Sequence, residues 1–142
     1  MADILQNELV LVMMALIGLG LLLSVVFGWQ LKRFCDRTPE IRTGADLEAF
    51  KRVVAGQMYA ALAQIVILLA PWAVFGYGFF TGRLAIGDAL YLTLPYIAVG
   101  IGGLLMKRVE ERAKHLPVSD PQLQEARDRV VHTWVKRALP DW

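Results

Sequence analysis

The sequence predicts an all-α membrane protein with three transmembrane helices, the N-terminus outside and the C-terminus cytoplasmic, plus a C-terminal amphipathic cytoplasmic helix. Three observations predict it. Of the 142 residues 56% are apolar and the mean hydropathy is +0.47, too greasy for an ordinary soluble domain of this size. Charged residues gather from Lys32 to Arg52 and from Lys107 to Arg137, leaving long uncharged intervals of the kind a bilayer imposes. The basic residues also fall on one side. Lys32, Arg33, Arg37, Arg42, Lys51 and Arg52 lie between the first two spans, and Lys107, Arg108, Arg112 and Lys114 follow the third. The other short loop has only Arg83, and the N-terminus, with Asp3 and Glu8, has no Lys or Arg.

The first span covers about residues 9–31, "LVLVMMALIGLGLLLSVVFGWQL". At ~1.5 Å per residue it is long enough for a ~30 Å hydrocarbon core. It does not read as a cleaved signal peptide, because the residues before it carry acids and no base, and Trp29 followed by Lys32 and Arg33 is no small-residue cleavage site.

The second helix starts as a surface element. Thr43 and Asp46 form a capping-box-like start, and Leu47, Phe50 and Val54 recur on one face. From 53 to about 77 the chain has no charge, so this helix is expected to rise straight into the bilayer, with Trp72, Tyr77, Phe79 and Phe80 as an aromatic belt at its far end. Pro71 deprives the carbonyl of Ile67 of its usual donor and is expected to kink the outer part.

A short turn, "TGRLAIGD", implies an antiparallel neighbour. The third span covers about 86–106, and its helical pattern continues into "KRVEERAKHL" until Pro117 stops it. Residues 1–117 thus form a three-span bundle, and residues 118–142 a cytoplasmic amphipathic helix and tail.

That last segment opens with Asp120 as N-cap and Pro121 at the first helical position. Leu123, Ala126, Val130, Val131, Trp134 and Ala138 fall near one face, away from Gln124, Glu125, Arg129 and Lys136. Something must cover this stripe: the lipid headgroup boundary, the cytoplasmic ends of the protein's own helices, or a partner.

Several function classes lose support on composition. The net charge of +2 comes from bases interleaved with acids, so a nucleic-acid surface is not expected. No Asp, Glu, Lys, Arg or His lies between the interfaces in the three spans, Asp88 falling in the short turn before the third, whereas proton relays and ion-coupled transporters place such groups at membrane depth. The two histidines, His115 and His132, fall outside the spans, and with Cys35 they lack metal-ligand spacing, so neither metal nor other cofactor is expected. There is no G-x-S-x-G, P-loop or H-E-x-x-H motif, and Ser24, the one serine in a span, has no base beside it. The lone Cys35 excludes an internal disulfide and reads as an incidental thiol or, in a eukaryotic setting, a palmitoylation site.

What the spans carry is small residues at helical spacing. Gly20, Ser24 and Gly28 make two small-xxx-small steps on the first helix, Gly56 and Ala60 one on the second, and Ala98 and Gly102 one on the third, with Gly103 beside them. The first run is expected to be a tight interface with another helix or protomer. Gln57 and Gln64 share a face with Ala60, and an amide in hydrocarbon needs a partner. Gln64 reads as packing glue, or with Gln57 as a polar contact lining a pore.

These readings favour a non-enzymatic integral membrane accessory, assembly or scaffold subunit of a complex or homo-oligomer, contacting membrane lipids and other subunits or itself, in a bacterial cytoplasmic (inner) membrane. The alternative is an oligomeric channel or transport component with the Gln57 and Gln64 face lining a path.

Overall fold

The computed structural model describes the backbone of residues 2–142 and the side chains from Glu8 onward. The charge of Asp3, counted above for orientation, lies outside the described side chains. The elements are α1 (Ala2–Arg37), α2 (Gly44–Phe80), a 3₁₀ turn (Ile86–Ala89), α3 (Leu90–Lys114) and α4 (Pro121–Lys136). The chain is 83% helical, with no strand among the described residues. Helices α1 to α3 each contain a stretch long and apolar enough to cross a membrane.

The helices outrun the apolar segments that seed them. At 36 and 37 residues, α1 and α2 are roughly 54 Å long at ~1.5 Å per residue, well beyond a ~30 Å hydrocarbon core. Their polar extensions therefore have room to build structure outside the spans.

Local chemistry sets the ends. At the start of α2, Asp46 Oδ2 accepts from the backbone N–H of Thr43 (2.9 Å) and of Arg42 (3.1 Å), while Thr43 Oγ1 accepts from Asp46 N–H (3.2 Å), a reciprocal capping box. Asp46 lies before the charge-free span, and these hydrogen bonds, the one from the Arg42 backbone foremost, hold its carboxyl below the usual carboxylate range. At the other end of α2, Gly82 takes the left-handed conformation at φ 68°. Gly82 N–H bonds to Phe79 carbonyl and Arg83 N–H to Gly78 carbonyl, the paired closure of a Schellman motif. Asp120 caps α4 by accepting from Gln122 N–H at 2.9 Å, with Pro121 in the first turn.

Pro71 lies inside α2, which continues through it to Phe80. The 3₁₀ turn takes up Ile86–Ala89, so α3 proper begins at Leu90, a few residues later than the apolar pattern suggests. Pro95, inside α3, likewise removes a donor, from the carbonyl of Tyr91.

The residues cluster into two compact units, Met1–Ser24 with Ala63–Leu104 and Val25–Leu62 with Leu105–Trp142. In the first, Met13, Ile17, Leu84 and Leu92 are buried and ringed by Leu9, Val10, Leu21, Val74, Phe75, Tyr96 and Val99. Met13, Ile17 and Gly20 recur at three- and four-residue steps, so one face of α1 supplies its share of this core.

The second unit has the larger core. Leu31 and Cys35 of α1, Ile41 of the following loop, Leu47, Phe50, Val54 and Met58 of α2, and Ala113, Leu116 and Val130 are buried together. Two connecting segments are stitched across this core by backbone bonds. Ile41 N–H donates to Pro117 carbonyl at 2.9 Å and Ser119 N–H donates to Ile41 carbonyl at 3.2 Å, making an isolated parallel bridge between Ile41 and Val118. These bonds satisfy backbone groups that a buried loop would otherwise leave unpaired.

Candidate functional site

The small residues of α1 face particular side chains of this same chain. A Cβ placed on Gly20 would lie 2.8 Å from Leu68 Cδ2, with Ile67 close behind. On Gly28 it would lie 2.6 Å from Met106 Sδ. Both glycines therefore admit a neighbour that alanine would push away. Gly56 has looser company, Phe27 at 3.8 Å, and Ala60 is half-buried.

The polar groups follow the same contacts. Gln64 Nε2 donates to Ser24 Oγ. Ser24 in turn donates to Gly20 carbonyl at 3.2 Å, one turn back along α1, which leaves its lone pairs for the glutamine. Gln57 is buried and donates through Nε2 to Phe27 carbonyl at 2.7 Å. Each glutamine is thus engaged with α1 within its own unit.

The third small-residue step stands differently. Ala98 is exposed, and a Cβ on Gly102 or Gly103 meets nothing within 4 Å. Leu94, Ile101 and Leu105 around them are exposed as well. Only 6% of the most apolar stretch of α3 is buried within the chain, against 17% for each of α1 and α2.

The stripe on α4 is covered by the protein's own helices. Val130 is 2% exposed inside the second core, and Leu123, Ala126, Val131 and Trp134 pack against that core. Lys114 Nζ sits over the Trp134 ring at 5.4 Å from its centroid. Arg127 Nη1 donates to Lys114 carbonyl at 2.7 Å, placing a cation at the C-terminal end of α3, where the helix dipole and an orphan carbonyl favour it. Ala138 lies past the end of α4 and is exposed, while Thr133 takes a buried place near the stripe because its hydroxyl is satisfied by Asp141 Oδ1 at 2.9 Å.

Several participants carry no advance signal. Tyr96 donates its phenolic proton to Leu68 carbonyl, and its ring lies 5.9 Å from that of Trp72. Tyr91 and Tyr96 both stand in this apolar run, and nothing in the sequence singles out Tyr96 as the one that finds an acceptor on α2. Met106 and the Phe27 carbonyl carry no signal either. Asp36 pairs with Arg112 Nη1 at 2.7 Å, and Cys35 is fully buried rather than turned outward.

An open cleft of about 770 Å³ follows α4, lined among others by Lys51, Arg129, His132, Arg137 and Trp142. Its cations are largely matched: Arg129 to Glu125, Lys51 to Glu48 and Arg137 to Asp141. Among the described residues no group of three or more His, Cys, Asp or Glu could hold a metal ion. No protein-family model, curated protein or solved structure matches this chain.

Proposed function

We propose that the protein is a non-enzymatic membrane accessory, assembly or scaffold subunit that packs the Ala98 and Gly102 face of α3 against a helix of another subunit or of a second copy. One observation carries this reading. Gly20 and Gly28 of α1 are met by Leu68 and Met106, whereas among the described residues nothing lies within 4 Å of a Cβ placed on Gly102 or Gly103 of α3. Lipid tails give helices no hydrophobic reason to associate, so a surface that permits close backbone approach is the feature that selects a partner helix. The basic ends of the spans face the cytoplasm in this reading, as in a bacterial inner membrane. The engagement of both glutamine amides in hydrogen bonds to α1 supports packing over a path along that face.

The test is association of the full chain after gentle extraction. Ala98→Leu with Gly102→Leu is expected to reduce the assembled mass to that of the single chain, with helix content unchanged. An assembled mass identical to that of the parent protein would overturn the proposal.

A further inference from the structure

The cations of this chain divide by position. Arg42, Lys51, Arg112, Lys114, Arg127, Arg129 and Arg137 each pair with a carboxylate. Among the described residues Lys32, Arg33, Arg37, Arg52, Lys107 and Arg108 have no such ion pair, and all six lie close to the basic ends of the apolar spans; Lys136 lies farther out, and Arg83, over the Tyr77 ring, lies in the turn between α2 and α3. The protein's own carboxylates thus leave a share of the charge near these span ends uncompensated.

Three of the six share one face. Trp29, Lys32, Arg33, Asp36 and Arg37, at steps of three and four residues along α1, line an open cleft of about 470 Å³. Asp36 is the carboxylate placed to neutralise Lys32 one turn away, but it is drawn to Arg112 of α3 at 2.7 Å. Trp29 is 57% exposed, and the Arg33 guanidinium lies over its ring at 4.9 Å from the centroid. An exposed indole is the kind of amphipathic ring that suits a membrane interface, and a guanidinium beside it carries several N–H donors that suit an oxyanion.

We propose that this cleft binds the headgroup phosphate of an anionic phospholipid, with Lys32, Arg33 and Arg37 as the phosphate-binding groups and Trp29 as the platform. The site rests on α1 crossing a membrane and is independent of what packs against α3. A phosphodiester offers two anionic oxygens to a planar guanidinium, and a basic cluster beside a span gains about 1 kcal/mol per cation from an anionic leaflet.

Native mass spectrometry of the full chain, released from micelles doped with phosphatidylglycerol or phosphatidylcholine, tests the site. The parent protein should retain phosphatidylglycerol in preference. Lys32→Gln with Arg37→Gln should weaken that retention roughly 30-fold, the equivalent of ~1 kcal/mol for each of two cations. Lys107→Gln with Arg108→Gln, which removes the same charge elsewhere, should leave it within about threefold. Equal retention of the two lipids, or equal loss in the two variants, would overturn the proposal. So would displacement of the lipid by inorganic phosphate beyond that by chloride at matched ionic strength, since it would assign the cleft to soluble phosphate. Circular dichroism on each variant guards against unfolding.

Discussion

Gln64 of α2 donates its amide proton to the hydroxyl of Ser24 on α1, and Ser24 donates its own to the carbonyl of Gly20 one turn earlier. The two helices are therefore joined at a fixed register by a relay in which every proton has a direction. Gly20 contributes twice, as the acceptor at the end of the relay and as the missing side chain that admits Leu68. Interhelical hydrogen bonds in lipid average only ~0.6 kcal/mol, because the separated helices also find partners, so the relay specifies alignment more than it stabilises.

A double-mutant cycle with Gln64→Leu and Ser24→Ala is expected to give a coupling of about 0.6 kcal/mol and no more than ~1.7 kcal/mol, read from unfolding in mixed micelles. Gln64→Leu should lose little stability and should not create flux in reconstituted vesicles. A coupling indistinguishable from zero would mean that the two side chains do not share a bond.

The contact between Gly28 and Met106 is steric rather than polar. Gly28→Leu should destabilise the fold, at the overpacking scale of roughly 1–3 kcal/mol, because a Cβ there meets the Met106 sulfur at 2.6 Å. Met106→Ala in the same chain should restore part of that loss by vacating the space. If the second substitution only adds to the damage, the side chain that Gly28 accommodates is not Met106.

Much of the fold is legible in the residues, for reasons that differ by element. A charge-free run of bilayer length is a matter of composition, and the Thr43 and Asp46 cap is a local pattern closed by atoms three residues apart. The stripe on α4 is periodic, so its need for cover is legible, but its cover is built from Leu31, Phe50, Leu116 and others drawn from four segments of the chain. Periodicity states that a face is buried and is silent on what buries it. The partners of Gly20 and Gly28 are hidden for a related reason: Leu68 and Met106 are ordinary span residues, and nothing in their identity marks them as the ones that fill a gap. The bridge between Ile41 and Val118 uses backbone groups, which every residue has.

The cap of α2 carries a pH dependence. Asp46 has a carboxyl held below its ordinary range in the folded chain by backbone and Thr43 hydrogen bonds. Its contribution is therefore present above the unfolded carboxylate range and is lost as pH falls through the lower folded value. Hydrogen-exchange protection of the Arg42 and Thr43 amides, corrected for the intrinsic pH effect, should hold from neutral pH through the ordinary carboxylate range and drop only below it. Asp46→Asn should flatten that profile, and a profile that is flat in the parent protein would show that Asp46 is not the acceptor.

The docking of α4 is best followed through Cys35. This thiol is fully buried in the core that also contains Val130, so a maleimide should label it slowly in the folded protein, at a rate set by opening of that core. Val130 contributes roughly 1.5–3 kcal/mol by burial, and a carboxylate in its place would have no partner there. Val130→Asp should therefore release α4 and expose the Cys35 face, raising the labelling rate at least tenfold while the apolar spans keep their helix content. Substituting Arg129, an exposed residue paired with Glu125, with Gln should leave the rate unchanged. If Val130→Asp labels no faster than the parent protein, α4 does not guard Cys35 and the second core must be closed by α1, α2 and α3 without it.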